Sequence, residues 1–383
     1  MVYLYPITLM TAFGLAIPAF AHPGHEHEVI DRAVKRSFLA NSRRSLNDCA
    51  AKLEARGTLQ DAALHRRALL DGLRKNAPAG GLARRDADTI LNTTHHSDAT
   101  DVTPYTDVST LFTTNQTCIL SPEGEVGPFW VKGEYNRQDI VDDEPGVVNY
   151  MHAQFIDVNT CEPIPELYWD VWNCNSTGVY SGVQDDSNGN GDDASNLDNM
   201  ALRGLQKTDE NGIASFRSIF PGHYSGRATH VHVVGHVNAS LQRNGTITGG
   251  SVSHIGQLFF DQDLITDVES TYPYNTSTVD ITLNSVDHVF TVETEESNSD
   301  PIFNYVYLDE SAGAEGGVFS WITIGLDPTA SFEASYAALL TADGGVKNEE
   351  SSGGPTGGDA PSGSMSGAAP TGTIPSGAPT SSA

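Results

Sequence analysis

Cysteine, basic residues and long apolar runs are all scarce in this 383-residue chain, and each scarcity argues against a class of protein. The 4 cysteines include no Cys-x-x-Cys pair, which argues against a metal–thiolate site. Lys and Arg number 21 against 49 Asp and Glu, and a net charge of -28 repels nucleic-acid phosphates. After residue 21 no run is apolar enough to cross a bilayer, so we expect neither nucleic acid nor membrane as a partner.

The first 21 residues contain the chain's one marked apolar run. This run is short, is interrupted by Pro18 and ends in Ala19-Phe20-Ala21, a small-x-small pattern typical of signal-peptide cleavage. A membrane span would need a longer, unbroken segment. We therefore predict a signal peptide over 1–21 and a secreted, extracellular protein.

Two other features agree with export. Asn-x-Ser/Thr sequons suit a glycoprotein, and an even number of cysteines favours disulfides in an oxidising compartment. The sequons begin at Asn92, Asn115, Asn175, Asn238, Asn244 and Asn275. The cysteines Cys49, Cys118, Cys161 and Cys174 allow three pairings, and the sequence does not choose among them.

Composition divides the rest of the chain into four parts. Apolar residues recur among charged ones without proline over 28–76, which predicts an N-terminal helical region over 22–85. Residues 86–117 are rich in Thr, Asp and Asn and read as an irregular linker. Residues 118–342 form a strand-rich domain. Residues 343–383 are rich in Gly, Ser, Pro and Thr, and we expect a disordered tail there.

The strand-rich domain shows short alternating runs separated by Gly, Pro and Asn. Such runs are typical of a mainly β protein with an antiparallel β-sandwich core. The predicted strands lie at 150–158, 168–172, 229–234, 279–283 and 289–292. Between them, Asp186-Ser-Asn188-Gly-Asn190-Gly191 resembles the start of a calcium loop. Its twelfth position is Leu197 instead of Glu, so we interpret it as an acidic surface loop.

The run from Tyr224 to His232 carries the strongest chemical signal. On a strand, residues two apart share a face, so His230 and His232 can reach one metal ion. Tyr224 lies just past a Pro-Gly turn and can add a phenolate, and Arg227 adds a positive charge. Imidazole nitrogen with phenolate oxygen suits ferric iron better than zinc or copper(I). A strand with two incidental histidines is the plainer alternative, and Tyr224 and Arg227 at this spacing disfavour it.

Several blocks in the same order between Gly127 and His232 resemble the intradiol ring-cleavage dioxygenases, in particular their secreted fungal branch. The matching blocks are Gly127-Pro128-Phe-Trp130, Arg137-Gln-Asp139-Ile140, Pro145-Gly146, Asp157-Val-Asn-Thr-Cys161-Glu-Pro163-Ile-Pro165, Asp170-Val-Trp172-Asn-Cys174, Gly178-Val-Tyr180-Ser181, Leu202-Arg203-Gly204, Thr208-Asp209-Glu-Asn-Gly212 and Phe216-Arg-Ser-Ile219-Phe-Pro221-Gly222-His-Tyr224.

This resemblance implies a β-sandwich with one non-haem Fe(III) ion, held by two tyrosines and two histidines. Carried over, Tyr224, His230 and His232 are ligands, with Tyr224 also acting as a base. Arg227 and Gln257 complete the predicted catalytic set, with Arg227 stabilising negative charge on the substrate. The resemblance further implies a small aromatic diol and O2 as substrates, a muconate-type diacid as product, and a possible homodimer through the N-terminal helices.

One position departs from the family pattern. The first ligand tyrosine of the family closes a Gly-Pro-x-Tyr motif, and this chain has Trp130 there, which cannot ligate iron. Either Tyr135 or another tyrosine substitutes, or the motif is shifted along the sequence, or three protein ligands and a water hold the iron. We expect Trp130 to line the substrate pocket.

Two alternatives to an active dioxygenase stay open at this point. Trp130 favours a weak or inactive secreted binding or cell-wall protein derived from the family. A copper protein using His22, His25 and His27 is a further alternative, since a terminal histidine tract can bind copper.

Overall fold

The computed structural model describes residues 87–99, 102–106, 111, 117–119, 126–295, 299–332 and 334–348. The predicted signal peptide, the helical region 22–85 with its histidine tract, the sequon at Asn115 and the tail beyond 348 lie outside these ranges. Within them, no helix combines the length and apolar character needed to span a bilayer.

The described residues are mainly strands with three short α-helices. The helices are α1 (Ala87–Leu91), α2 (Gln262–Glu269) and α3 (His288–Glu295). The strands are β1 (Thr117–Ile119), β2 (Val131–Lys132), β3 (Val148–Asp157), β4 (Tyr168–Trp172), β5 (Arg203–Lys207), β6 (Ile213–Ile219), β7 (His230–Val237), β8 (Ser240–Leu241), β9 (Ile247–Thr248), β10 (Ser251–Phe259), β11 (Asn304–Tyr307), β12 (Val318–Leu326), β13 (Ala338–Thr341) and β14 (Gly344–Lys347).

Two sheets build the sandwich that the alternating pattern predicts. One has the order β1-β12-β3-β6 with β11 also on β12, and the other has the order β10-β7-β4-β5. The second sheet is wholly antiparallel. The first is mixed, because β12 runs parallel to both β1 and β3.

The core between the sheets follows the two-residue alternation of strands. Val231 and Val233 of β7 and Trp169 and Val171 of β4 belong to the main buried cluster, together with Met151, Ala153 and Phe155 of β3. The alternate residues of β7 and β4 therefore face away from that core. A second buried cluster covers that outer face; it contains Trp172 and Val234 with Phe129, Trp130, Val131 and Tyr180.

Two predicted strands are wrong. Residues 289–292 lie in α3, and 279–283 are irregular with Val279, Ile281 and Leu283 exposed. The β-branched run Val289-Phe-Thr-Val favours a strand locally, but Asp287 precedes it and accepts a hydrogen bond from the Phe290 N–H at 2.9 Å. A carboxylate in that position caps a helix start, and packing of Val289 and Phe290 against Ile90 and Phe259 outweighs the local propensity.

Two predicted boundaries need correction. The stretch 86–117 was expected to be an irregular linker, yet it contains α1, and its last residue, Thr117, begins the short strand β1. His95 is buried there, with Nδ1 2.6 Å from Asp261 and Nε2 3.1 Å from Asp300, so this segment is anchored to the sandwich. At the other end, β14 pairs with β13 beyond residue 342, so the domain extends to Lys347.

Full pairing of the four cysteines is also wrong. Cys161 is disulfide-bonded, whereas Cys174 is a free and buried thiol. The Cys174 thiol donates to the carbonyl oxygen of Gly222 at 3.3 Å. Burial raises its pKa to about 12, which leaves it an inert packing group.

Candidate metal centre

The two histidines of the His-x-His motif lie side by side on the outer face of the second sheet. Both belong to β7, which is paired on one side with β4 and on the other with β10. Their Nε2 atoms are 3.1 Å apart. Both side chains are buried, and the indole of Trp172 stacks on the His232 ring with centroids 4.8 Å apart. A central strand with two partners holds both imidazoles in place.

The hydrogen bonding of His230 determines which ring nitrogen faces the cluster. Its Nδ1 lies 2.6 Å from the carbonyl oxygen of Ala228, so this nitrogen carries the proton and donates it. Burial, together with the nearby charge of Arg227, lowers the pKa of His230 to about 3. The ring is therefore neutral, and the lone pair of Nε2 points towards His232. This is the form in which a histidine binds metal.

Two tyrosine hydroxyls complete a four-membered cluster. The Tyr224 hydroxyl lies 3.2 Å from Nε2 of His230. The Tyr180 hydroxyl lies 3.1 Å from Nε2 of His232 and 3.4 Å from Nε2 of His230. Reasoning from the sequence missed Tyr180 as a candidate ligand, although it belongs to the block Gly178-Val-Tyr180-Ser181 that carries part of the family resemblance.

Glycines let the two tyrosine-bearing loops approach each other. A Cβ at Gly178 would overlap the carbonyl oxygen of His223 and lie 3.2 Å from Cβ of Tyr224. On the other loop, a Cβ at Gly222 would lie 2.5 Å from the carbonyl oxygen of Ser176. Larger residues at Gly178 or Gly222 would push the phenols apart.

Trp130, which holds the position of the family's first ligand, and Tyr135, the candidate substitute, both lie outside this cluster. The Trp130 indole Nε1 donates to Oδ2 of Asp170 at 3.0 Å, and its ring lies 6.2 Å from that of His236. His236 is four residues beyond His232, or about 13 Å along the strand. Tyr135 is 38% exposed. Phe129, one residue before Trp130, is the member of that motif whose ring contacts Tyr180, at 5.0 Å.

Arg227 is fully buried in a network with Gln257 and Asp287. Its Nε donates to Asp287 Oδ2 at 2.8 Å and its Nη2 to Gln257 Oε1 at 2.5 Å. Gln257 is opposite His232 in the β10–β7 register, so the two side chains share a face. Burial alone would raise the pKa of Asp287, but the charge and hydrogen bonds of Arg227 hold it below its usual value.

The four donors differ in their exposure to solvent. Tyr180 and the two histidines are buried, whereas Tyr224 is half-buried and is followed by the exposed Ser225 and Gly226. Tyr224 is therefore the donor residue nearest the surface, on the loop that also carries Arg227.

Comparison with known proteins reveals the chain's relatives. The dioxygenase family model matches residues 127–291. An intradiol ring-cleavage dioxygenase from Tetranychus urticae is 29% identical, over 56% of this chain and 98% of that one, with a TM-score of 0.46. A second solved dioxygenase is 30% identical over the same shares, with a TM-score of 0.45.

The chain belongs to the intradiol ring-cleavage dioxygenase family. The catechol 1,2-dioxygenase from Pseudomonas arvilla is more distant, at 20% identity over 57% of this chain and 65% of that one, with a TM-score of 0.33. The comparison with curated proteins gives no match. The range matched by the family contains Tyr180, Tyr224, His230 and His232, and also Arg227, Gln257 and Asp287.

The residues of this cluster fit the non-haem iron that the family uses. No group of three or more His, Cys, Asp or Glu side chains within the described ranges is placed to hold a metal. The cluster instead combines two imidazoles with two phenols, a donor set suited to a hard ferric ion. Burial raises the pKa of Tyr180 and, against the charge of Arg227, that of Tyr224. A bound cation would favour their phenolate forms.

Proposed function

We propose that the protein is a secreted, non-haem Fe(III) intradiol dioxygenase that cleaves catechol-type aromatic diols with O2. Tyr180, Tyr224, His230 and His232 would hold the metal. The observation that carries the proposal is the convergence of these four donor atoms, which come from two loops and one strand. A sandwich used only as a scaffold has no need for two phenols and two imidazoles at one point.

A ferric ion held by these four residues would supply Lewis-acid activation that makes the ring of a catechol reactive towards O2. Each neighbouring residue then has a distinct role. Tyr224, the half-buried phenol, takes a proton from the incoming diol, because a phenolate is basic enough to accept it. His230 and His232 stay in place because the β-ladder on both sides holds their strand.

Arg227 supplies the electrostatic part of the proposed chemistry. Its guanidinium is held by Asp287 and Gln257, so it does not need to reorganise when negative charge develops on the substrate. Preorganised charge of this kind is often the largest single contribution to catalysis. Gln257 fixes one end of the guanidinium and faces the same side of the sheet as His232.

The alternative of an inactive binding or cell-wall protein depended on Trp130. With the Tyr180 hydroxyl beside both imidazoles, the cluster has its second phenol without Trp130. The proposed export to the extracellular space rests on the first 21 residues and on the sequons. Of these, Asn92, Asn238, Asn244 and Asn275 are exposed and so accessible for glycosylation.

A visible spectrum of the purified protein tests the proposal. We expect about one iron per chain and a phenolate-to-iron absorption band that shifts when catechol is added under nitrogen. Admission of air should then give the ring-opened diacid. Iron-free protein, or iron without a phenolate band, would contradict the proposed centre, and copper that is lost on removal of residues 22–27 would favour the histidine tract.

A further inference from the structure

Tyr180 reaches the cluster from a loop, unlike the histidines. It lies between β4 and β5, outside any strand, and no strand ladder fixes its backbone. Its side chain is nevertheless fully buried, with the hydroxyl within 3.4 Å of both imidazoles. Sites built on loops are held less accurately than sites on strands unless something else fixes the loop.

The side chain of Asn188 makes the hydrogen bonds to the Tyr180 backbone that a neighbouring strand would make in a sheet. Its side-chain Oδ1 accepts the Tyr180 N–H at 2.8 Å, and its Nδ2 donates to the Tyr180 carbonyl oxygen at 2.8 Å. A single amide side chain thus pairs with both backbone groups of the tyrosine. Asn188 is only 4% exposed, so these bonds are shielded from competing water.

A second asparagine, Asn196, adds to these hydrogen bonds. Nδ2 of Asn196 donates to the same Tyr180 carbonyl oxygen at 2.9 Å and to the carbonyl oxygen of Val183 at 2.7 Å. The two asparagines belong to consecutive 3-10 turns, Asp186–Asn188 and Ala194–Asp198. Asp185 and Asp193 cap these turns by accepting from Ser187 N–H and Ser195 N–H.

The sequence predicted an acidic surface loop over 186–191, and Asp186 and Gly189 are exposed there, but Asn188 is buried. Asp185 and Asp193 cap turns, while Asn188 and Asn196 are buried and bond to the loop of Tyr180. The resemblance to a calcium loop comes from this same alternation of Asp, Asn and Gly, which suits tight capped turns.

We propose that Asn188, supported by Asn196, is a positioning residue that sets where the Tyr180 phenol meets the metal. This inference rests on the proposed function, because it assumes that Tyr180 binds iron. Without Asn188, the buried N–H and one acceptor site of the Tyr180 carbonyl lose their partners, so the loop must shift or open to water. The phenol moves with its backbone, because residues 178–182 form one short segment.

The test uses the full-length protein and the variants Asn188→Ala and Asn188→Asp. Asn188→Asp keeps an acceptor for the Tyr180 N–H but replaces the donor to its carbonyl with a second oxygen. We expect both variants to lose iron to a chelator about tenfold to a hundredfold faster, the range for removing an outer-shell partner. Their phenolate band should shift in wavelength or lose intensity.

Ser195→Ala is the matched control. Ser195 lies in the same segment, and its hydroxyl donates to Asp193 at the surface instead of bonding to Asn188 or Tyr180. Its removal should leave the band and the rate of iron loss within about twofold of the unmodified protein. If Asn188→Ala fails to fold, Asn188→Asp and Asn196→Ala carry the same comparison.

A double-mutant cycle separates positioning from general loop stability. In a Tyr180→Phe background, Asn188→Ala should add little to the loss of iron affinity, because its proposed effect passes through the Tyr180 hydroxyl. Equal effects of Asn188→Ala in both backgrounds, or an unchanged band in both Asn188 variants, would overturn the inference and leave the proposed function intact. Unmodified protein that binds no iron would instead overturn the proposed function and this inference with it.

Discussion

The four candidate metal ligands lie on two kinds of backbone, a central strand and two loops. His230 and His232 are on a central strand, and Trp172 and the Ala228 carbonyl fix their ring orientations. Tyr180 and Tyr224 come from loops that glycines bring together. Tyr180 is the buried phenol and Tyr224 the half-buried one, so we propose different roles: Tyr180 would anchor the metal, and Tyr224 would give way to substrate.

Tyr180→Phe tests the anchoring role directly. The change removes one oxygen and keeps the ring that packs against Phe129, so the fold should persist. We expect iron to be lost at least about a hundredfold faster than from the unmodified protein, since a ligand should cost no less than an outer-shell partner. Tyr135→Phe, at the exposed tyrosine first considered for this position, is the control and should change neither colour nor iron content.

Arg227→Leu should leave iron bound and slow turnover of catechols at least about a hundredfold, the scale for losing one charge stabiliser. The structure adds a complication, because Arg227 is the ion-pair partner of the buried Asp287. Leaving that carboxylate unpaired would itself destabilise the protein by about 3–5 kcal/mol.

The double variant Arg227→Leu/Asp287→Asn separates the two effects. It should recover part of the lost thermal stability while turnover stays slow. Recovery of turnover together with stability would show that Arg227 acts through folding instead of through charge.

At the scale of elements, the strands with clear alternation were predictable and the segments fixed by tertiary contacts were not. Strand β7 and the shared face of its histidines follow from two-residue periodicity. Helix α3 is stabilised by the cap at Asp287 and by packing on α1. The residues 289–292 alone give no sign of either feature. The place of Tyr180 depends on side-chain amides 8 and 16 residues away, so periodicity could not reveal it.

The segment around α1 is attached to the domain by a buried ion-pair triad. Burial alone would lower the pKa of His95, but its hydrogen bonds to the Asp261 and Asp300 carboxylates and their charges raise the pKa to about 9. A raised pKa means that this stabilisation is complete below about pH 6.5 and is lost as pH rises through 9.

Thermal unfolding between pH 6 and pH 10 should therefore show stability falling by a few kcal/mol, the order that this shift implies. His95→Gln should be less stable at pH 6 and show a flatter pH profile. A parallel decline in both proteins would assign the effect to other groups.

Strand β14 gives a prediction about the C-terminal boundary. It pairs with β13, and its Gly345 N–H donates to Asp198 beside the turn that holds Tyr180. Truncation after Asp343 removes this strand and should lower the free energy of unfolding by more than the ~1 kcal/mol of a typical substitution. Truncation after Asn348 should change it by less than about 0.5 kcal/mol, because the remaining Gly/Ser/Pro/Thr-rich residues have little apolar surface to bury.

At the scale of the whole molecule, the residues of the candidate site occupy only part of the sequence. All four donors, and Arg227 with its two partners, lie between residues 127 and 291. The sequence upstream of residue 87 holds most of the basic residues in an otherwise acidic chain.

A chain of residues 87–348 should therefore keep iron and turn over catechols within about twofold of the full-length protein, since no ligand or charge stabiliser is removed. Sedimentation of both forms tests the expected homodimer at the same time. If the full-length protein is a dimer and the shortened one an equally active monomer, the upstream segment serves assembly. A shortened chain that folds but loses iron or slows more than about tenfold would show that residues before 87 support the metal site, against the arrangement in which two loops and one strand provide all of it.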